Sequence, residues 1–146
     1  MTNPTLLKFG YPDTLVREWR HWAVLVRPAQ VTLGSLVLCA RGDWTAYSQL
    51  PDEAFAEQGL AIRTIESALA RFCRYERINY LMLMMVDPNV HFHIIPRYSE
   101  PRVWMGRSFA DHGWPGPPDL KSGHALEPTE LIEMRDKLKL MFQFLS

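Results

Sequence analysis

Apolar and polar positions along this chain fall into blocks of two different periods, and the blocks predict alternating strands and helices. Trp22-Ala-Val-Leu-Val26 is a short run rich in branched and aromatic residues, the composition of a strand. Arg27-Pro28-Ala29-Gln30 breaks it, because proline fixes its backbone and donates no hydrogen bond. Val31 to Ala40 predicts the next strand, with Gly34 marking a bulge or a close backbone approach. So short a break makes the two strands an antiparallel hairpin. Upstream, Met1 to Tyr11 has no period and is expected to wrap the surface, and Asp13 is a candidate cap for a short helix through Trp19.

The period changes after Pro51-Asp52-Glu53, which opens a helix: proline is tolerated in a first turn, and acidic residues there oppose the helix dipole. Phe55, Ile62 and Leu69 recur every seven residues, with Ile65 and Phe72 beside them, giving one apolar stripe to about Cys73. Ile78 to Val86 is nearly continuous in apolar residues, the pattern of a central strand buried on both faces, with its methionines a candidate dimer seam. Asp87-Pro88 turns the chain into Asn89-Val-His-Phe-His-Ile-Ile-Pro-Arg97. Side chains alternate along a strand, so Asn89, His91 and His93 share one face, and Val90, Phe92 and Ile94 the other. Residues 99–126 are rich in Pro, Gly, Trp and charge and read as one long irregular segment, either a lid over the histidine strand or an ordered surface wrap. Pro128-Thr129-Glu130 starts a last helix, with Leu131, Met134, Leu138, Met141 and Leu145 as its apolar stripe. The expected fold class is α+β: a mainly antiparallel sheet, one long central helix against it and a C-terminal helix behind.

Composition narrows the function classes. A chain of 146 residues buries one hydrophobic core, so residues 1–146 are expected to form a single domain. The formal net charge is zero, which leaves no electrostatic footprint for a nucleic acid polymer or an anionic membrane. The longest apolar run, Tyr80 to Val86, falls far short of the ~20 residues that span a bilayer. Cys39 and Cys73 form no Cys-x-x-Cys pair and read as small core residues of a cytoplasmic protein.

The chemistry-bearing stretch is the histidine strand. A neutral imidazole is nucleophilic near neutral pH, and two of them two residues apart place a hydrogen-bond donor beside an attacking nitrogen. That suits attack on an electrophile with charged oxygens, such as a phosphoryl group, and it asks for an exposed ring in an open cleft. His-x-His also occurs as a pair of zinc ligands, with His112, His124 or Asp87 the available further ligands. Neither histidine need do chemistry at all.

Asn89-Val90-His91-Phe92-His93-Ile94-Ile95-Pro96-Arg97 resembles the signature of the histidine triad (HIT) superfamily: His, apolar, His, apolar, His, two apolars, often then Pro-Arg. The resemblance implies a HIT-like fold, usually a homodimer, and hydrolysis or transfer at the α-phosphate of a nucleotide. The implied substrates are a dinucleoside polyphosphate (diadenosine polyphosphate, for example) or a nucleoside phosphoramidate. By position His91 is the nucleophile that becomes nucleotidylated, His93 its hydrogen-bonding neighbour, and Asn89 and Arg97 the substrate-binding positions. No metal ligand set or cofactor is required for that attack. The chain departs from the family in three places. Asn89 replaces the first histidine, and its amide exchanges hydrogen bonds but cannot ionise. Cys39-Ala40-Arg41-Gly42 lacks a further histidine, and the Asp87-Pro88 turn is too short for a Gly-Gln-Ser/Thr-Val phosphate element. A slow enzyme or a non-catalytic nucleotide-binding module is therefore the alternative.

Overall fold

The computed structural model describes residues 2–143. In chain order the elements are α1 (Pro4–Lys8), β1 (Leu15–Glu18), β2 (Trp22–Val26), β3 (Ala29–Gln30), β4 (Leu36–Ala40), α2 (Asp52–Cys73), β5 (Arg77–Leu81), β6 (His91–Arg97), β7 (Arg102–Trp104), β8 (Arg107–Phe109), β9 (His124–Ala125) and α3 (Pro128–Gln143). Five strands form one antiparallel sheet in the order β1-β2-β4-β6-β5. The architecture is α+β, with α2 and α3 on one face of the sheet.

Alternation divides the sheet into two unlike faces. Trp22, Val24, Val26, Leu36, Leu38 and Ile94 point to the helices and make the main core. Ala23, Leu25, Val37 and Cys39 point the other way, into a small cluster closed by Leu6 and Phe9. The register carries that second face across the sheet: Cys39 lies opposite His91, and Val37 opposite His93.

Helix α2 meets the sheet through Ala54, Ala61, Ile65, Ala68 and Leu69, so small side chains let it lie close. Phe55, expected in that stripe, is 39% exposed. Gly34 sits at φ +92°, and a Cβ there would lie 3.1 Å from Leu69 Cδ2, so the close-approach reading of this glycine holds. Helix α3 buries Met134, Leu138 and Phe142, while Leu145 lies outside the described residues.

Three expectations are corrected. Residues 15–18 form β1 rather than a helix capped by Asp13, because Arg17 and Glu18 find ladder partners in Val24 and Ala23, and pairing outweighs a local cap. The Ile78–Val86 run is not a central strand: β5 is a sheet edge that ends at Leu81, and Met85 and Val86 are exposed. The N-terminal stretch does not lack structure. Asn3 accepts from Leu6 N at 2.9 Å and Pro4 occupies the first turn, so α1 is a capped helix.

The 99–126 segment is an ordered wrap. Met105 and Gly106, both at positive φ, turn a β7–β8 hairpin, and β9 pairs with β3. The Tyr98 hydroxyl pins the wrap from below, accepting from Leu33 N at 2.7 Å and donating to Phe109 O at 2.9 Å.

Candidate functional site

Strand β6 places His91 and His93 on the face away from α2, with ring centroids 5.2 Å apart and planes nearly perpendicular. The expectation of exposed rings is overturned: His91 is 0% and His93 7% exposed. The cover comes from the N-terminus. The Phe9 ring lies 5.9 Å from His91 and 5.5 Å from His93. Polar contacts hold this cover down. Asn3 Nδ2 donates to Ala40 O at 3.0 Å and Gly42 O at 2.9 Å, at the end of β4. Thr5 Oγ1 donates to Asn89 Oδ1 at 3.1 Å, and Lys8 pairs with Asp87 at 2.8 Å. The signal for this cover was legible, since Asn-Pro at positions 3 and 4 is a helix start. Its docking site was not.

The rings are not simply packed in hydrocarbon. His91 Nδ1 lies 2.7 Å from Asn89 O. A carbonyl only accepts, so Nδ1 carries the proton and, in the neutral ring, Nε2 carries the lone pair. His91 Nε2 and His93 Nδ1 are both buried without a partner. Buried polar atoms of that kind are uncommon and call for an explanation. Asn89 precedes β6 rather than lying in it, and it steers His91 through its main chain while its side chain faces Thr5. The orientation of His91 therefore does not depend on an ionisable side chain at position 89.

Burial, reinforced by the charges of Arg27 and His91, pushes the His93 pKa down to about 4 from its ordinary 6.5. A ring harder to protonate folded than unfolded adds stability that is complete above 6.5 and lost as pH falls through about 4. Thermal midpoints of the wild type are expected to fall between pH 6.5 and 4 more steeply than those of His93→Gln. Parallel curves would refute the assignment. At neutral pH His93 is an uncharged donor or acceptor, not a cation.

Arg97 is not brought to the histidines. Its side chain is almost fully buried, with Nε and Nη2 donating to Asp111 at 2.7 and 3.1 Å, Nη1 to Asn79 Oδ1 at 2.7 Å and Nη2 to Gly116 O at 2.8 Å. Four of its donors thus go to protein, which makes it the bolt between β6, β5 and the wrap. A cleft of about 370 Å³ beside it is lined by Arg77, Asn79 and Trp114–Pro117. His112 and His124 stack on each other at 5.2 Å, and His124 Nε2 lies 3.0 Å from Ala110 O. Among the described residues no group of three or more His, Cys, Asp or Glu is arranged to hold a metal. Burial raises the pKa of both thiols, Cys73 to about 12, so neither is a nucleophile.

As a sequence the chain matches no protein-family model and no curated protein. Its three-dimensional likeness is to histidine triad proteins. One from Marinobacter aquaeolei aligns over 100% of this chain and 98% of its own, with a TM-score of 0.74 at 18% identity. One from Bradyrhizobium japonicum aligns over 97% of both chains, with a TM-score of 0.72 at 20% identity. The diadenosine triphosphate hydrolase of Plasmodium falciparum aligns over 92% of this chain and 77% of its own, with a TM-score of 0.61 at 12% identity. The chain has the histidine triad fold. Among the described residues no helix is long and apolar enough to cross a membrane.

Proposed function

We propose that the protein is a nucleotide hydrolase or nucleotidyl transferase that works at the α-phosphate of a dinucleoside polyphosphate or nucleoside phosphoramidate. The observation that carries this reading is the His91 ring, with Nδ1 tied to Asn89 O and Nε2 unpartnered on a rigid strand. In the reaction the Nε2 lone pair attacks phosphorus and forms a P–N bond. The bond from phosphorus to the leaving group breaks, and that group departs with the electron pair and takes up a proton. Water then attacks phosphorus, the P–N bond returns its electrons to Nε2, and a nucleoside monophosphate leaves. His93, neutral and edge-on to His91, hydrogen-bonds a phosphate or leaving-group oxygen. Asn89 orients His91 through its carbonyl, and Arg97 contributes indirectly by fixing the strand. The fold shared with a diadenosine triphosphate hydrolase supports the substrate class.

The test is intact-mass analysis after rapid mixing with a nucleoside phosphoramidate. One nucleotidyl group added to the wild type and none to His91→Ala is the expected result. A second reading, a non-catalytic nucleotide-binding module, draws on the Phe9 cover. Saturable nucleotide binding with neither mass addition nor product would establish that module instead.

Chemistry at His91 needs the cover to shift. Phe9→Ala is expected to speed labelling of His91 by diethylpyrocarbonate several-fold, at a cost of about 3 kcal/mol in stability. Unchanged labelling, read by peptide mass mapping, would place the cover elsewhere.

The reading includes a cytoplasmic homodimer. The β5 edge, with exposed Leu83, Met85 and Val86 just beyond it, is the face for the second copy. Sedimentation equilibrium at micromolar concentration tests this; a monomer throughout would refute it.

A further inference from the structure

Three polar side chains hold α1 over the histidines, and their contacts are of two kinds. Asn3 and Thr5 are buried and donate to neutral oxygens: Ala40 O and Gly42 O for the first, Asn89 Oδ1 for the second. A dissolved ion does not reach bonds so enclosed. The third contact is ionic and lies at the rim. Lys8 Nζ is 2.8 Å from each carboxylate oxygen of Asp87, with the two side chains 51% and 18% exposed. Among the described residues the ammonium has no other polar partner. A pair this open to water is worth little and exchanges partners readily.

The pair stands close to the imidazoles. Lys8 Nζ lies 5.9 Å from the centroid of the Phe9 ring. That centroid lies 5.5 Å from the His93 ring and 5.9 Å from the His91 ring. One aromatic ring thus separates the ammonium from both histidines. Asp87 sits in the bend that leads into β6, so the pair ties the end of α1 to the approach of the histidine strand. Both charges are felt at His93: behind the dominant effect of burial, Lys8 lowers its pKa and Asp87 raises it.

In this arrangement the rim cancels its own charge. The cation that could receive a phosphate is held by the carboxylate that would repel one. A phosphate oxygen is as good a partner for an ammonium as a carboxylate oxygen, and a lysine on its flexible stem can follow it. Behind Phe9 wait His91 Nε2 and His93 Nδ1, both buried with no partner. Resting on the reading that His91 attacks an α-phosphate, we propose that Lys8 is a substrate-binding residue held in reserve by Asp87. The phosphate of an incoming nucleotide takes the ammonium from Asp87, and the carboxylate turns to water. That one exchange seats the phosphate at the rim of the site and unties α1 from the bend before β6. A nucleoside without phosphate cannot make it.

Two measurements on the wild type, Lys8→Met and Asp87→Asn test this: titration calorimetry with AMP and adenosine, and the rate at which diethylpyrocarbonate labels His91. Both substitutions cut the tie, so both should speed labelling about two- to fivefold. Over the phosphate they should part. The ratio of AMP affinity to adenosine affinity is the readout, because opening of the cover helps both ligands alike. That ratio should fall about tenfold in Lys8→Met, the worth of one charge-assisted contact. It should rise about two- to fivefold in Asp87→Asn, where the ammonium has no competitor. A ratio unchanged in Lys8→Met, a fall in both variants, unchanged labelling in either, or no AMP binding by the wild type overturns the proposal. Phosphoramidate trapping is run on the same preparations. Opposite shifts of the ratio, with no label on His91, defeat the covalent reading and leave the role of Lys8 standing. Label on His91 with a ratio indifferent to Lys8 does the reverse.

Discussion

Replacing His91 by alanine is expected to lower turnover at least ~10³-fold, about 4 kcal/mol of lost transition-state stabilisation. The size follows from the nucleophilic role proposed for it. A nucleophile that splits one displacement into two cannot be replaced by binding contacts, and removal of a covalent partner leaves only the orienting residues to act. Alanine also removes a buried ring, so a second variant separates folding from chemistry. His91→Asn retains a side-chain N–H near the position of Nδ1, able to donate to Asn89 O, but it has nothing at Nε2. It should melt close to the wild type and be as inactive as alanine. The measurement is steady-state release of nucleoside monophosphate with intact-mass detection of the adduct. Wild-type rates in either variant would remove His91 from the mechanism.

The second large effect concerns stability. Arg97→Ala is expected to cost about 3–5 kcal/mol, because it strands the nearly fully buried Asp111 carboxylate and the Asn79 and Gly116 oxygens. For a chain of this size that lowers the thermal midpoint by roughly 10 °C. Asp111→Asn should be damaging as well, since it leaves the guanidinium without its counter-charge. Differential scanning calorimetry decides between this account and the substrate-binding one. An Arg97→Ala protein that melts like the wild type but has lost nucleotide affinity would return Arg97 to the site.

These outcomes bear on a chain whose functional half was partly readable in advance. Strand alternation at His91 and His93, the Trp22–Val26 strand, the long helix from Asp52 and the final helix from Pro128 all follow from local periodicity, and the structure carries each of them. Local signals misled where a neighbour decides the outcome. The apolar run at Ile78 looked doubly buried, yet its strand is a sheet edge, because burial depends on how many strands lie beyond it. Phe55 fitted the helical stripe, yet the helix turns Ala54, Ala61 and Ala68 to the sheet.

What the amino-acid order determined unaided is the pattern within each element: which side chains share a face, where proline and glycine stop a strand, and that two imidazoles stand side by side. Backbone geometry sets these at a range of a few residues. The tertiary structure alone decided what meets that face. Thr5 reaches Asn89 across 84 positions of chain, Phe9 lies over both histidines, and Arg97 turns to Asp111. Contacts at such separation depend on strand order and register, and no period in the sequence encodes them.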